Sequence, residues 1–190
     1  MAIFYWEVLS GNFNSPSGWF LLNGSNQYIP ATAAPGIGDT ADIETISMEL
    51  TANSTFGGTL ELSKGFLLGN YTLTLSGPAT FSNNAGLTGT GAATLATTGP
   101  VTLLGTVFLE DATWTNSGTA TAEGLLQSQS GTGTLANLPG GTIELVGTGE
   151  VFNYSGAGNL LALNNAGLIA QSAVGANSDI AAPLINSGTV

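Results

Sequence analysis

The chain has 190 residues and carries twelve carboxylates against a single basic side chain, Lys64, with no histidine and no cysteine. One cation cannot displace the counterions of a phosphate backbone, so nucleic acid is excluded as a partner, and anionic membrane surfaces are disfavoured on the same ground. Without cysteine there are no disulfides and no thiolate metal sites, while 28 glycines and a positive mean hydropathy point to an all-β protein rich in turns rather than a disordered chain.

The chain opens "MAIFYWEVLSGNF". This stretch has neither a positively charged start nor a long apolar run, so it reads as no signal peptide, and the short apolar runs elsewhere predict no membrane insertion. Residues 1–45 differ in texture from the rest. They hold seven of the fifteen aromatics (Phe4, Tyr5, Trp6, Phe13, Trp19, Phe20 and Tyr28) and the stretch "YIPATAAPGIGDTADI". They are expected to form an N-terminal cap and entry segment, covering the apolar interior and unpaired edge that a first coil would otherwise expose.

From residue 46 to residue 190 the chain alternates apolar and polar positions in short runs: "GTLELS", "YTLTLSG", "ATLATTG" and "GTIELVG". Period-two alternation bounded by Gly, Asn, Ser or Pro predicts short, half-buried strands. An Asn-x-Gly corner recurs at Asn84, Asn116, Asn165 and Asn186, with a longer form, "NLPGGT", at Asn137. An apolar residue precedes each: Phe81, Trp114, Leu163, Leu184 and Leu135. Asn tolerates left-handed backbone and Gly supplies positive φ, which makes these natural corner residues. Corners roughly 20 to 30 residues apart suit the coils of a solenoid better than a meander, with coils stacked about 4.8 Å apart and asparagines laddered. The predicted fold is an all-β, right-handed parallel β-helix (β-solenoid) of six or seven coils at roughly 20 to 25 residues each; its hand follows the general preference of parallel crossovers.

The segments Trp6, Gly11-Asn12-Phe13, Gly18-Trp19 and Pro35-Gly36-Ile37-Gly38-Asp39-Thr40-Ala41-Asp42-Ile43 resemble the opening of bacterial secreted β-strand-repeat proteins. "TWTNSGTAT", "LANLPGGTIEL" and "APLINSGTV" resemble that family's coils, which are similar to filamentous-haemagglutinin-like solenoids. The resemblance implies a large extracellular or cell-surface protein with a structural or adhesive role. It also implies type I export through a C-terminal signal, of which this sequence shows no trace.

Catalysis is weighed against that reading. The lone Lys64 reads as an edge-protecting charge rather than a lyase base. Glu110 and Asp111 are adjacent, so on a strand they point apart and mark a turn; a hydrolase would need a pair from different coils, such as Glu123 with Glu144, to stack, which the sequence alone does not show. Asp39, Asp42 and Glu44 cluster within six residues, yet match no calcium loop and shape the entry to the first coil. Trp6 and Trp19, if exposed and coplanar, would favour a glycan platform, and if buried, a cap. Thr-x-Thr begins at Thr72, Thr88, Thr113, Thr119 and Thr132, with gaps of 16, 25, 6 and 13 residues, which predicts no regular threonine face for ice binding.

The sequence therefore predicts a non-enzymatic structural or adhesive segment with no catalytic residues, no metal and no cofactor. Its expected partners are surface glycans or itself, by end-to-end stacking into a filament. The alternative is a glycan-binding module or polysaccharide-active β-helix enzyme. Because "LINSGTV" stops mid-repeat, the chain is expected to continue with further coils beyond Val190.

Overall fold

The computed structural model describes residues 1–8, 10–44, 47–147, 150–151, 160–172 and 178–190. Among these every regular element is a β-strand, and no helix is long and apolar enough to cross a membrane. The predicted boundary between residues 45 and 46 lies outside the described residues.

The strands stack in parallel as a β-solenoid of about six turns. Each turn contributes one strand to each of three faces. The first face runs through Ile3–Trp6, Thr40–Ile43, Thr59–Ser63, Ala79–Ser82, Val101–Leu104, Thr119–Ala122, Thr142–Leu145 and Leu168–Gln171. The second and third faces share the long strands Ala85–Thr97 and Thr106–Asn116, which bend from one face into the other. Above and below them the same path is cut into two shorter strands per turn, such as Phe66–Leu68 and Thr72–Leu75, or Leu125–Gln127 and Thr132–Asn137.

Register fixes the coil length. Leu60 pairs with Ala79, Ala79 with Val101, Val101 with Ala120, Ala120 with Ile143 and Ile143 with Ile169, so one turn takes 19 to 26 residues. Length varies because loops vary while the strands stay aligned. Alternation along each strand then builds apolar columns. Ala41, Leu60, Ala79, Val101, Ala120, Ile143 and Ile169 line one inward column of the first face, and all are buried. Leu73, Leu95, Trp114, Leu135, Leu163 and Leu184 share a column of the third face, so the apolar residue before each Asn corner falls where the pattern predicts.

Phe81 and Asn84 correct that pattern. Phe81 belongs to the first face, beside Leu62 and Leu103. Asn84 sits at the corner between the first and second faces with φ 69°, next to Asn83 at φ 54°. The other four asparagines occupy the corner from the third face back to the first, and none has a positive φ. Their turn is set instead by a glycine column: Gly58, Gly77, Gly99, Gly118, Gly141, Gly167 and Gly188 stand one above another, and a Cβ on any of them would strike backbone carbonyls close by, in most cases those of the neighbouring coil. Close approach of coils, rather than left-handed backbone, demands Gly there.

The N-terminal segment closes the first coil. Ile3–Trp6 joins the first face in parallel with Thr40–Ile43, and its other edge takes the antiparallel strand Trp19–Leu22, followed by Tyr28–Pro30. Pro30 has no N–H to offer along that outermost edge, which blunts it against further pairing.

Candidate functional site

The corner asparagines form a buried hydrogen-bonded wire. Asn116 Nδ2 donates to Asn137 Oδ1 at 2.9 Å, Asn137 Nδ2 to Asn165 Oδ1 at 2.7 Å, and Asn165 Nδ2 to Asn186 Oδ1 at 2.7 Å. Thr97, at the equivalent position one coil earlier, accepts from Trp114 Nε1 at 2.9 Å and donates its own hydroxyl to Asn116 Oδ1 at 3.1 Å. One and two coils before Thr97, Leu75 and Phe56 hold the same register position. Each interior amide also caps carbonyls of its own and the next coil, as Asn116 does with Gly118 and Thr142 at 3.1 Å each. With every donor occupied, a buried carboxamide stabilises instead of costing.

A second set of corner side chains bonds coil to coil through backbone. Asn53 Oδ1 accepts from Thr72 N, Asn70 Oδ1 from Thr90 N, and Asp111 Oδ1 from Thr132 N, at 2.8 to 2.9 Å. Asp111, expected to mark a turn, lies instead within the strand Thr106–Asn116, with φ 47° at the bend where the register with the preceding coil shifts. Glu110, its neighbour, accepts from Thr88 Oγ1 at 3.4 Å. Lys64 is an exposed corner residue at φ 62°.

The aromatic cluster is inside. Trp6 and Trp19 are buried with centroids 5.0 Å apart at 72°, edge to face, and Phe13 sits 5.1 Å from Trp19 and 5.1 Å from Phe56 of the first coil. Trp19 Nε1 donates to Phe13 O at 2.9 Å. These rings cap the coil stack, and their burial removes them as a sugar-stacking platform.

Carboxylates from successive coils do meet, though not the pair Glu123 and Glu144. Glu144 stands opposite Thr121 and Ala170. The stacked pair is Asp42 and Glu61, in the outward column of the first face that begins with Tyr5. Glu7 and Glu44, each two residues further on, join Tyr5, Trp6, Tyr28 and Asp42 around a cavity of about 50 Å³. Burial, with Glu44 and Glu61 beside it, pushes the Asp42 carboxyl up to about 6. Asp39 points elsewhere: its oxygens accept from Ala2 N at 2.9 Å and Gly36 N at 3.2 Å, which hold it below the usual carboxylate range. The cavity admits a few waters, each needing on the order of 10–15 Å³ of such space, and is too small for a sugar ring. Among the described residues no group of three or more His, Cys, Asp or Glu is placed to hold a metal ion. Sequence spacing missed Glu7, Glu61 and Tyr28 because an antiparallel hairpin separates Glu7 and Tyr28 from their neighbours along the chain.

The third face carries an array the sequence gaps conceal. Thr72, Thr94, Thr113 and Thr134 fall on one outward column of four successive coils, with Thr55, Thr74, Ala96, Thr115 and Ala136 on the parallel column two residues along. This corrects the expectation of no regular threonine face. Irregular gaps in the chain come from unequal loops, and strand register cancels them. Thr88 and Thr119, the starts of two other Thr-x-Thr motifs, lie on the second and first faces.

No family model, curated protein or solved structure matches this chain. The stacked-coil architecture is its closest description.

Proposed function

We propose that the chain is a non-catalytic structural and adhesive segment of a large bacterial extracellular or cell-surface protein, of the β-strand-repeat, filamentous-haemagglutinin-like kind that its sequence resembles. The observation that carries this reading is the Asn116–Asn137–Asn165–Asn186 wire, buried up to its exposed end at Asn186, beside the glycine column. Both devices join coil to coil at the same corner and make a stiff stack whose length is set only by the number of repeats. The uncharged Thr and Ala columns of the third face supply hydroxyl and methyl groups to a neutral surface such as glycan. Protease shaving of intact cells of the producing bacterium should release peptides of this chain before lysis; their recovery only from lysed cells would overturn the placement. For adhesion, Thr113→Glu in the middle of the face should weaken retention on neutral polysaccharide beads, and unchanged retention would remove the third face from the role.

A further inference from the structure

The junction between the cap and the first coil gathers negative charge without a counter-ion. Tyr5, Asp42 and Glu61 occupy three successive rungs of the first face. Extending the same registers two residues along the strands sets Glu7 opposite Glu44 and Glu44 opposite Ser63. Four carboxylates thus lie on three rungs about 4.8 Å apart, and like charges directly opposite each other in a sheet are destabilising. From the outer hairpin, Tyr28 reaches the same place: its ring meets that of Tyr5 edge-on at 5.4 Å, and it lines the cavity together with Glu7. Asp39 is engaged with Ala2 and Gly36, and Lys64 and the N-terminal amine are not among the charges acting on Asp42.

We propose that this column is a proton-operated clasp, in which a proton on Asp42 draws the cap onto the first coil and its loss at neutral pH loosens it. Geometry makes the proton useful. A neutral carboxyl on Asp42 donates to an adjacent carboxylate, turning a repulsive rung into a hydrogen bond. Asp42 itself is half-buried beside the cavity, so water screens its charge only from one side. Asp42, pushed up by its burial and its acidic neighbours, is the group that takes the proton first. The first face is where the cap strand meets the solenoid, so mild acid closes the end of the stack and neutral pH frees the edge of Thr40–Ile43.

Amide hydrogen exchange at about pH 5 and about pH 7.5, corrected for the intrinsic rate, tests this. Amides of Ile3–Trp6 and Thr40–Ile43 should be protected about three- to tenfold better at the lower pH, while those of Val101–Leu104 and Thr142–Leu145 stay constant. Asp42→Asn, which keeps a neutral donor, should hold the protected state at both pH values, and Glu61→Gln should flatten the response in part. Equal protection of the wild-type cap at the two pH values would overturn the clasp whatever the variants do. A full pH response surviving in a folded Asp42→Asn would also overturn it.

Discussion

Asn137 Oδ1 accepts from Asn116 one coil earlier, and Asn137 Nδ2 donates to Asn165 one coil later, so one carboxamide at 1% exposure joins three turns of the stack. It also bonds Gly141 O at 3.3 Å and Leu168 O at 3.1 Å. Truncating it strands a buried acceptor on Asn165 and removes the shortest of the three bonds made by the Asn116 amide, which keeps Gly118 O and Thr142 O. An unsatisfied buried group costs about 1–3 kcal/mol, so Asn137→Ala should lose about 3 kcal/mol. Asn186, exposed and with only the end of the wire to hold, should lose under about 1 kcal/mol on the same change. Urea midpoints of the two variants check this, and similar losses for both would show that the wire does not act as a unit.

Gly118 and Gly24 make opposite predictions for one substitution. A Cβ on Gly118 would lie 2.5 Å from Gly99 O and 2.6 Å from Thr98 O, both backbone atoms of the preceding coil, which can move only by parting the coils. Gly118→Ala should therefore cost about 3 kcal/mol, at the upper end of overpacking. At Gly24 a Cβ meets nothing within 4 Å and the backbone φ is not in the left-handed range. Gly24→Ala should be neutral or gain up to about 1 kcal/mol by restricting the unfolded chain. Thermal melts of both variants against the parent decide it.

These two positions also show what could be read from the sequence. The Asn-x-Gly motif marked the right corner at Asn116, Asn165 and Asn186, and period two marked the strands, because both signals are local. Gly77 and Gly99 share the Gly118 corner yet follow Leu-Ser and Thr-Thr without an Asn, so the motif hides a column that only the stacking of coils makes visible. Asn84 misleads in the opposite way. It repeats the motif at another corner, where positive φ is the true demand. The junction carboxylates and the threonine columns were illegible for a third reason: neighbours across coils are separated by loops of unequal length, and no fixed spacing encodes them.

Trp19 anchors the cap. It is fully buried, meets both Trp6 and Phe13 edge-on, and satisfies its Nε1 on Phe13 O. Trp19→Ala should cost about 3–5 kcal/mol, as deletion of a large core aromatic does. The loss should appear as a collapse of the near-UV circular dichroism of the aromatic cluster and faster exchange in Thr40–Ile43. Trp114→Phe, deep in the stack, keeps most of the ring but removes the donor to Thr97 Oγ1, and should cost about 1–2 kcal/mol. If Trp19→Ala left urea stability and near-UV signal unchanged, the aromatic cluster would not be what closes the first coil.

Two aspartates on one segment pull stability in opposite directions with pH. Asp39 is held below its ordinary value of 3.8 by the Ala2 and Gly36 N–H groups, so the folded state sheds its proton more readily than the unfolded chain. Its contribution is present above 3.8 and lost as pH falls through that value and below. Asp42 is raised to about 6, so between its ordinary 3.8 and about 6 the folded state holds a proton that the unfolded chain has lost. Its contribution is complete below 3.8 and disappears as pH rises through about 6. Resistance to urea should therefore pass through a maximum at about pH 4, and decline on both sides. Asp39→Asn should flatten the acid limb and leave the neutral limb, while Asp42→Asn should flatten the neutral limb alone. Urea titrations at about pH 2, about 4 and about 7.5 separate the two. A stability that rises steadily from acid to neutral pH in the wild type would show that the Asp42 carboxyl titrates in the ordinary range and that the junction carries its charges without cost.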